Sequence, residues 1–183
     1  MINSGWLKSA RRHESPNCDE RPSGSEIGLL VVHGISLPPG QYGGDYIEQF
    51  FCNCLSPDGH PYFAGIADMQ VSAHLLIRRN GELIQFVPFD KRAWHAGKSS
   101  FEGRDCCNDF SIGIELEGCD DEAYQSAQYD RLVEVTRDLM AVYPGITQER
   151  IVGHSDIAPG RKTDPGPAFD WDYFRRLLAG GQS

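Results

Sequence analysis

The sequence predicts a single mixed α/β domain, in which a central mixed β-sheet is flanked by helices. Three observations lead to this fold class. The 183 residues are enough for one domain with a substantial core. Strand-like and helix-like segments alternate along the chain, as in folds that pack helices on a sheet. Two of the strands flank Asn80-Gly81, the strongest short hairpin signal, so we expect an antiparallel pair within the sheet.

The predicted strands differ in their patterns. Residues 28–34, "GLLVVHG", are a short apolar run that ends at glycine, which is typical of a buried strand. Residues 71–89, "VSAHLLIRRNGELIQFVPF", contain the two strands of the hairpin. Residues 110–118, "FSIGIELEG", alternate with a period of two, and residues 149–154, "ERIVGH", predict a short last strand.

Three further segments predict helices. Residues 43–55, "GGDYIEQFFCNCL", are typical of a helix that is entered through glycines. In residues 126–143 the apolar side chains fall on one helical stripe, which Pro144-Gly145 ends. Residues 169–179, "FDWDYFRRLLA", predict the final helix. Because the sequence contains no repeat or linker, we expect these elements to form a single domain.

Composition narrows the classes of function. We expect one domain over residues 1–183, monomeric, with residues 1–26 as an N-terminal extension packed on it. The net charge of −9 disfavours nucleic acid as a partner. The sequence contains no signal-peptide pattern and no membrane-spanning stretch, so a cytoplasmic protein without a membrane partner is expected. In that compartment the cysteines are expected to be free thiols: Cys18, Cys52, Cys54, Cys106, Cys107 and Cys119.

A loop near the C-terminus combines turn residues with ionisable ones. In "GHSDIAPGRKTDPGP", prolines and glycines surround His154 and Asp164, and His154 ends the last predicted strand. His33 similarly ends the first buried strand. Two imidazoles and one carboxylate are a common ligand set of catalytic zinc, which leaves one position for water. Each residue alone is more simply explained as structural, and spacing does not show that the three meet.

Three more ionisable side chains have two interpretations each. Glu115 and Glu117 lie on the same face of the strand in "IGIELEG", because they are two residues apart. A carboxylate directed at a metal site can act as a general base, but both could equally face solvent. Lys162 could donate to an oxyanion that forms on a carbonyl, or it could be an ordinary surface cation.

The remaining candidates concern substrate binding. His74, inside "VSAHLLI", and His95 both compete for the ligand role, and His74 is otherwise a hydrogen-bonded wall of the pocket. Trp94 and His95, in "RAWHAG", suit stacking on a sugar or peptide, although core packing explains Trp94 equally well.

Several long motifs, in the right order, resemble the cytosolic N-acetylmuramoyl-L-alanine amidases of the AmpD type. They are "LLVVHGISLPPG", "HPYFAGIADMQVSAHLLIRRNGELIQFVPFDKRAWHAG", "CNDFSIGIELEG" and "GHSDIAPGRKTDPGPAFDW". The resemblance implies a mixed sheet flanked by helices with a zinc cleft along one side. It implies one Zn²⁺ per chain on His33, His154 and Asp164, with Glu115 and Lys162 as the catalytic residues.

The resemblance also implies a reaction. The family cleaves the amide between N-acetylmuramic acid and L-alanine, and its cytosolic branch acts on 1,6-anhydromuropeptides during peptidoglycan recycling, which lowers β-lactamase induction. Two other functions stay open. One is a module that binds peptidoglycan fragments without cutting them, and the other is an amidase that acts on intact peptidoglycan. Because all three ligand positions match, an enzyme is favoured.

The sequence departs from the family pattern beside the first expected ligand. The family usually reads "HNISLPPG", whereas Gly34 follows His33 here, so a side-chain contact with substrate is expected to be missing. On this interpretation Gly34→Asn would tighten substrate binding. If Gly34 instead has a positive φ, or another residue already makes the contact, the substitution would do nothing or would destabilise the end of the strand. Gln70 and Cys106 stand where better-known enteric members carry arginine, which leaves two fewer cations near the cleft.

Overall fold

The computed structural model describes residues 1–180, so the last three residues of the predicted domain 1–183 lie outside the described residues. The strands of the described part are β1 (Ile2–Asn3), β2 (Trp6–Leu7), β3 (Arg11–Arg12), β4 (Cys18–Glu20), β5 (Leu29–Ile35), β6 (Leu75–Ile77), β7 (Leu83–Gln85), β8 (Lys91–Ala93), β9 (Ser100–Phe101), β10 (Arg104–Asp105), β11 (Ser111–Glu117) and β12 (Ile151–Gly153). Its α-helices are α1 (Tyr46–Phe51), α2 (Ser126–Val142), α3 (His154–Ile157) and α4 (Trp171–Leu178).

The main sheet is mixed, as the sequence predicts. Its order is β12–β5–β11–β6–β7–β3. β5 pairs in parallel with β12 on one side and with β11 on the other, and β11 pairs in parallel with β6. β6 and β7 are the antiparallel hairpin around Asn80-Gly81, with Leu75 opposite Gln85 and Ile77 opposite Leu83. The long parallel pair of β5 and β11 forms the centre of the fold.

Several predicted elements are shorter in the structure, among them the last strand, expected over 149–154 and observed over Ile151–Gly153, and the final helix, expected over 169–179 and observed over Trp171–Leu178. The helix expected over 43–55 covers only Tyr46–Phe51, because Gly43 and Gly44 have φ of 76° and 66°, outside the helical region. Asn53, with φ of 58°, ends the segment on the other side. The hairpin strands expected over 71–89 are confined to three residues each.

Side chains of the central strands alternate between two layers. On β11, Ile112, Ile114 and Leu116 are buried against α2 and α4, which lie on one face of the sheet. Ser111, Gly113, Glu115 and Glu117 therefore point to the opposite face. On β5 the same rule separates Leu30 and Val32 from His33. Because both strands direct polar residues to one face, this face can hold a functional site.

The N-terminal residues contribute to the sheet and to the region beside it. β3 pairs in parallel with β7 and forms one edge of the main sheet, and β4 pairs with β8 in a separate two-stranded sheet. All six cysteines, which lie in the described part of the chain, are free thiols as predicted. Among residues 1–180 we find no helix whose length and apolar character would let it cross a membrane.

Candidate active site

The site begins at the centre of the sheet, where His33 of β5 lies directly opposite Glu115 of β11. Both side chains are buried, with 1% of His33 and 9% of Glu115 exposed. Burial lowers the pKa of His33 to about 4, so its imidazole is neutral at neutral pH. A neutral imidazole presents one nitrogen lone pair to a ligand.

The last strand and the loop after it add two side chains. β12 ends at Gly153, and His154 begins α3 beside the carboxyl end of β5. Asp164 lies ten residues further along, and its carbonyl accepts a hydrogen bond from Ser155 N at 3.0 Å. This contact closes the loop, so Asp164 returns to the strand end that carries His154. The loop thus places both side chains against His33.

Three potential ligand atoms converge at this point. His33 Nδ1 lies 2.9 Å from His154 Nδ1, and Asp164 Oδ2 lies 3.2 Å and 3.1 Å from these two nitrogens. In a tetrahedral zinc site with bonds of about 2.0–2.1 Å, neighbouring ligand atoms are about 3.3 Å apart. Both the spacing and the nitrogen and oxygen donors therefore fit a zinc ion. Within the described residues, this is the group of side chains that could hold a metal ion.

The charges around these atoms also suit a cation. Burial raises the pKa of Asp164, but the close contacts of its carboxylate with His154 and His33 outweigh this effect and hold the pKa well below its usual value. His154 Nε2 lies 3.2 Å from the carbonyl of Ala96, which only accepts, and 3.4 Å from Arg161 Nη2, which only donates. The shorter contact favours a proton on Nε2 and leaves the lone pair on Nδ1. An ionised carboxylate and two lone pairs therefore face one point.

The structure distinguishes Glu115 from Glu117. The alternative that both face solvent is wrong, because both are buried. Glu115 lines the cleft, and its Oε2 has no hydrogen-bond partner among the described residues. Burial, with a contribution from Asp164, raises the pKa of Glu115 well above its usual value. A buried, unpaired carboxyl with a raised pKa can take and return a proton.

Lys162 and Arg161 are adjacent cations with different surroundings. Arg161 Nη2 donates to the carbonyls of Ala96 and Lys98 at 2.6 Å and 2.7 Å, so its guanidinium holds two loops together. Lys162 is exposed and lines the cleft together with Asp164. It is therefore the cation of this pair that a bound substrate can reach.

The cleft itself has a volume of about 670 Å³, which is in the range of small-molecule sites. One end holds the ionisable side chains described above. The other wall is apolar and includes Tyr62, Ile66 and Met69. Tyr62 and Met69 are half exposed, at 46% and 48%. A ligand with both polar and apolar parts fits such a cleft.

The predicted substrate-binding residues fall in different places. Trp94 and His95 line the cleft, and Trp94 Nε1 also donates to Asp19 at 3.1 Å. His74 lies behind the cleft and is fully buried, and its Nδ1 accepts from Gly113 N at 3.1 Å. The position of His74 matches the alternative of a hydrogen-bonded wall.

Gly34 also lines the cleft, and Tyr124, which the sequence analysis missed, fills the space beside it. A Cβ atom at Gly34 would overlap with the Tyr124 hydroxyl. That hydroxyl donates to the carbonyl of Pro165 at 2.9 Å, next to Asp164. A side chain at position 34 would therefore meet buried protein before it met substrate. No local pattern around Tyr124 in the sequence signals this long-range contact.

Comparisons with known proteins identify relatives of this chain. The family profile described as N-acetylmuramoyl-L-alanine amidase matches residues 23–167. The chain is 60% identical over 179 residues to the 1,6-anhydro-N-acetylmuramyl-L-alanine amidase AmpD of Salmonella typhimurium strain SL1344, and the match covers 98% of this chain and 95% of that relative.

Solved structures give the same result. The crystal structure of a selenomethionine AmpD derivative matches with a TM-score of 0.95 and 58% identity, over 97% of this chain and 99% of that one. The Escherichia coli amidase AmiD, solved with the substrate anhydro-N-acetylmuramic acid-L-Ala-D-γ-Glu-L-Lys, matches with a TM-score of 0.62 and 31% identity, over 89% of this chain and 62% of that one. The predicted fold class and family resemblance are confirmed: the chain belongs to the N-acetylmuramoyl-L-alanine amidase family.

Proposed function

We propose that this protein hydrolyses the amide bond between 1,6-anhydro-N-acetylmuramic acid and the L-alanine of muropeptides, and that it uses one Zn²⁺ per chain held by His33, His154 and Asp164. The observation that carries the proposal is the convergence of three ligand atoms beside the buried, unpaired Glu115. The AmpD relatives, named for this reaction, support the choice of substrate.

Each catalytic side chain has a role that its position supports. When bound, zinc polarises a carbonyl and lowers the pKa of a water ligand to about 7. Glu115 accepts the proton of the attacking water, because this residue lines the cleft together with His154 and Asp164 and its Oε2 has no hydrogen-bond partner among the described residues. Lys162 donates a hydrogen bond to the oxyanion that develops on the lactyl carbonyl. Glu115 then returns the proton to the alanine nitrogen, and the amine leaves.

The same proposal includes a cellular setting. We place the reaction in the cytoplasm, where reduced thiols persist, and the six free cysteines support this compartment. Consumption of anhydromuropeptides there would serve peptidoglycan recycling and lower the signal for β-lactamase induction. A monomer suffices, because one chain supplies every proposed catalytic residue. Gly34, Trp94 and His95 border the bound substrate in this proposal.

The test compares two substrates and two metal states. Purified protein is expected to contain one zinc per chain by elemental analysis, to lose activity on chelation and to regain it with Zn²⁺. His154→Ala should lose the metal. Mass spectrometry should detect release of the stem peptide from an anhydromuropeptide and little release from intact sacculi.

Other outcomes separate the alternatives. Tight binding of the fragment without any cleavage by the zinc-loaded protein would indicate a binding module. Faster cleavage of intact sacculi than of the free anhydromuropeptide would indicate a cell-wall amidase. Activity that survives complete removal of metal would overturn the proposed role of zinc.

A further inference from the structure

A chain of three buried hydrogen bonds leads away from the proposed metal site. His33 Nε2, the ring nitrogen that faces away from His154 and Asp164, lies 2.9 Å from His95 Nδ1. His95 Nε2 lies 3.1 Å from Ser111 Oγ. The Ser111 hydroxyl lies 2.6 Å from the carbonyl of Cys107. All of these side chains are buried, so the bonds form without competition from bulk solvent.

The last acceptor, a backbone carbonyl, determines which group donates in each of the three hydrogen bonds. The carbonyl of Cys107 only accepts, so the single hydroxyl proton of Ser111 is donated to it. Ser111 Oγ must then accept from His95 Nε2–H. A neutral imidazole has one N–H, so His95 Nδ1 accepts from His33 Nε2–H. His33 Nδ1 is left with a lone pair that points at His154 and Asp164.

We propose that His95 and Ser111 are positioning residues that hold His33 in the tautomer and orientation needed to bind the metal ion. The inference rests on the proposed function only in taking the ion to lie between His33, His154 and Asp164. Neither residue needs to touch the metal for this role. The partners of ligating histidines typically change metal affinity by 10–100-fold when they are removed.

The surroundings of His95 hold it in place. A Cβ atom at residue 113 would overlap with the imidazole of His95, so Gly113 makes room for the ring on β11. Asn108 Oδ1 accepts from the backbone N–H of His95 at 3.1 Å and from that of Ala96 at 2.8 Å. The rings of His95 and His33 meet edge to face, with centroids 5.0 Å apart. His95 is thus fixed on both its backbone and its ring.

Residues 95 and 96 each accept a hydrogen bond from one of the two ligating histidines, one through its side chain and the other through its backbone. The side chain of His95 accepts from His33, and the backbone carbonyl of Ala96 accepts from His154 Nε2 at 3.2 Å. A backbone carbonyl persists through any substitution at its residue. The tautomer of His154 is therefore insensitive to side-chain changes in this segment, whereas that of His33 depends on His95 and Ser111.

The test uses two substitutions at residue 95 that separate hydrogen bonding from packing. His95→Asn places an acceptor near the position of Nδ1, but it fills less space than the imidazole. His95→Leu is closer in volume, but it offers no acceptor. Zinc dissociation constants, measured by competition with a chromophoric chelator, are expected to rise roughly 10–100-fold for His95→Leu and clearly less for His95→Asn. Equal losses, or better binding by His95→Leu, would overturn the proposal.

Ser111→Ala tests the second member of the chain. It should weaken zinc binding by roughly tenfold, because it removes the acceptor that fixes the His95 tautomer. Ser15→Ala is the matched control. Its buried hydroxyl also donates to a backbone carbonyl, that of Phe51, but Ser15 is not among the residues that line the cleft. Ser15→Ala should leave the zinc dissociation constant unchanged, and an equal loss in both variants would contradict a specific role for Ser111.

A spectroscopic measurement keeps this inference separate from the proposed activity. Long-range ¹H–¹⁵N correlation spectra of metal-free protein report which nitrogen of each histidine is protonated. We expect His33 and His95 both to be protonated on Nε2, with a mixture of tautomers in Ser111→Ala. If the protein shows these tautomers but cleaves no muropeptide, only the proposed function fails. Protonation of His33 on Nδ1 in the native protein would overturn the positioning role itself.

Discussion

Glu115 and Glu117 lie two residues apart on the same face of β11, yet their surroundings are opposite. Glu117 accepts hydrogen bonds from Gly43 N at 2.7 Å, from Arg79 N at 3.1 Å and from the Arg78 guanidinium at 3.2 Å. Glu115 Oε2 has no partner in the described part of the chain. One carboxylate is thus fully engaged by the protein, and the other is left available to a substrate.

This difference shows that the role of each glutamate is set by distant parts of the chain. Arg78, which pairs with Glu117, also donates to Glu48 of α1 at 2.6 Å, so it joins the sheet to a helix. A buried charge needs such partners to be tolerated. Glu115 lacks them and instead borders Asp164 and Lys162. Unpaired buried carboxyl groups of this kind cluster at functional sites, because they can exchange protons.

Exchange of each carboxyl for an amide should produce the largest difference between the two residues. Glu115→Gln is expected to lower turnover of an anhydromuropeptide by roughly 10²–10⁴-fold, the usual size of a general acid–base contribution. Zinc content should be unchanged, because Glu115 is not among the proposed ligands. Glu117→Gln should leave turnover close to that of the wild type at temperatures where it is folded. Steady-state kinetics with zinc analysis of each variant measure both effects.

A different result would reassign the proton transfer. If Glu117→Gln lost turnover to the same extent while folded and loaded with zinc, Glu117 would become the candidate base. Wild-type turnover in Glu115→Gln would exclude that residue from proton transfer.

The two glutamates also face different cations, and Lys162 is the one beside Glu115. Lys162→Ala should lower kcat by roughly 10²–10³-fold, because a single well-placed oxyanion donor is typically worth that much. Lys98→Ala is the control. Lys98 is likewise exposed and carries the same charge, but it is not among the residues that line the cleft. Similar losses in both variants would indicate a general effect of charge on substrate binding.

Stability should respond in opposite directions at the two positions. Removal of one partner from a buried ion pair costs roughly 3–5 kcal/mol of stability. In Glu117→Gln, Arg78 would still be paired with Glu48, so the loss should lie at the lower end of this range, at about 3 kcal/mol. Glu115→Gln should instead leave the metal-free protein equally stable or more stable, because it removes an unpaired buried carboxyl. Urea unfolding of chelator-treated protein measures both changes.

The gain in stability from Glu115→Gln should depend on pH. Burial raises the pKa of Glu115, so the folded state binds its proton more tightly than the unfolded state does. Stability of the metal-free wild type is therefore lost as pH rises from about 4.3, the unfolded value, through the folded pKa. The advantage of Glu115→Gln should be larger at pH 7 than at about pH 4. An advantage that shrinks over this range would contradict the assigned direction of the shift.

The sequence was sufficient to predict the longer elements and the candidate residues, but not the short strands β1–β4 and β8–β10, the helix α3 or the contacts between elements. Periodicity predicted β11 and α2 nearly to the residue, because burial against one layer imposes a regular pattern. Motif resemblance selected His33, His154 and Asp164, although His33 and His154 are 121 residues apart. Periodicity alone left Glu115 and Glu117 equivalent, because a period of two defines only a face.

The contacts that support the site could not be predicted, because each joins residues that are distant in sequence. His33 meets His95 across 62 residues, and Tyr124 meets Pro165 across 41. Such pairs depend on how the elements pack and leave no local pattern. The expectation that Gly34→Asn would tighten substrate binding failed to include Tyr124 for this reason. The contact with Tyr124 adds a different expectation, a cost in stability.

Gly34 pairs with Leu116, the residue between the two glutamates. It therefore lies opposite the boundary on β11 between the unpaired Glu115 and the fully hydrogen-bonded Glu117. The side chain of Tyr124 packs against the backbone at this boundary. Its ring packs so closely on Gly118 that a Cβ there would overlap with it, and its hydroxyl is held by Pro165. The hydroxyl therefore has little freedom to yield to a side chain at residue 34.

Substitution at this boundary should have the smallest effect and should depend on a single oxygen atom. Gly34→Ala and Gly34→Asn are expected to lose roughly 1–3 kcal/mol of stability through overpacking, without a lower KM. Tyr124→Phe alone should lose about 1 kcal/mol, the net value of its hydrogen bond to Pro165.

The double variant Gly34→Ala/Tyr124→Phe should be more stable than the sum of the single losses predicts. Without the hydroxyl, the nearest ring atom of residue 124 lies 3.7 Å from the new Cβ, an ordinary contact distance. Urea unfolding of the four proteins gives this coupling energy directly. Strict additivity would show that the Tyr124 hydroxyl is not what excludes a side chain from position 34.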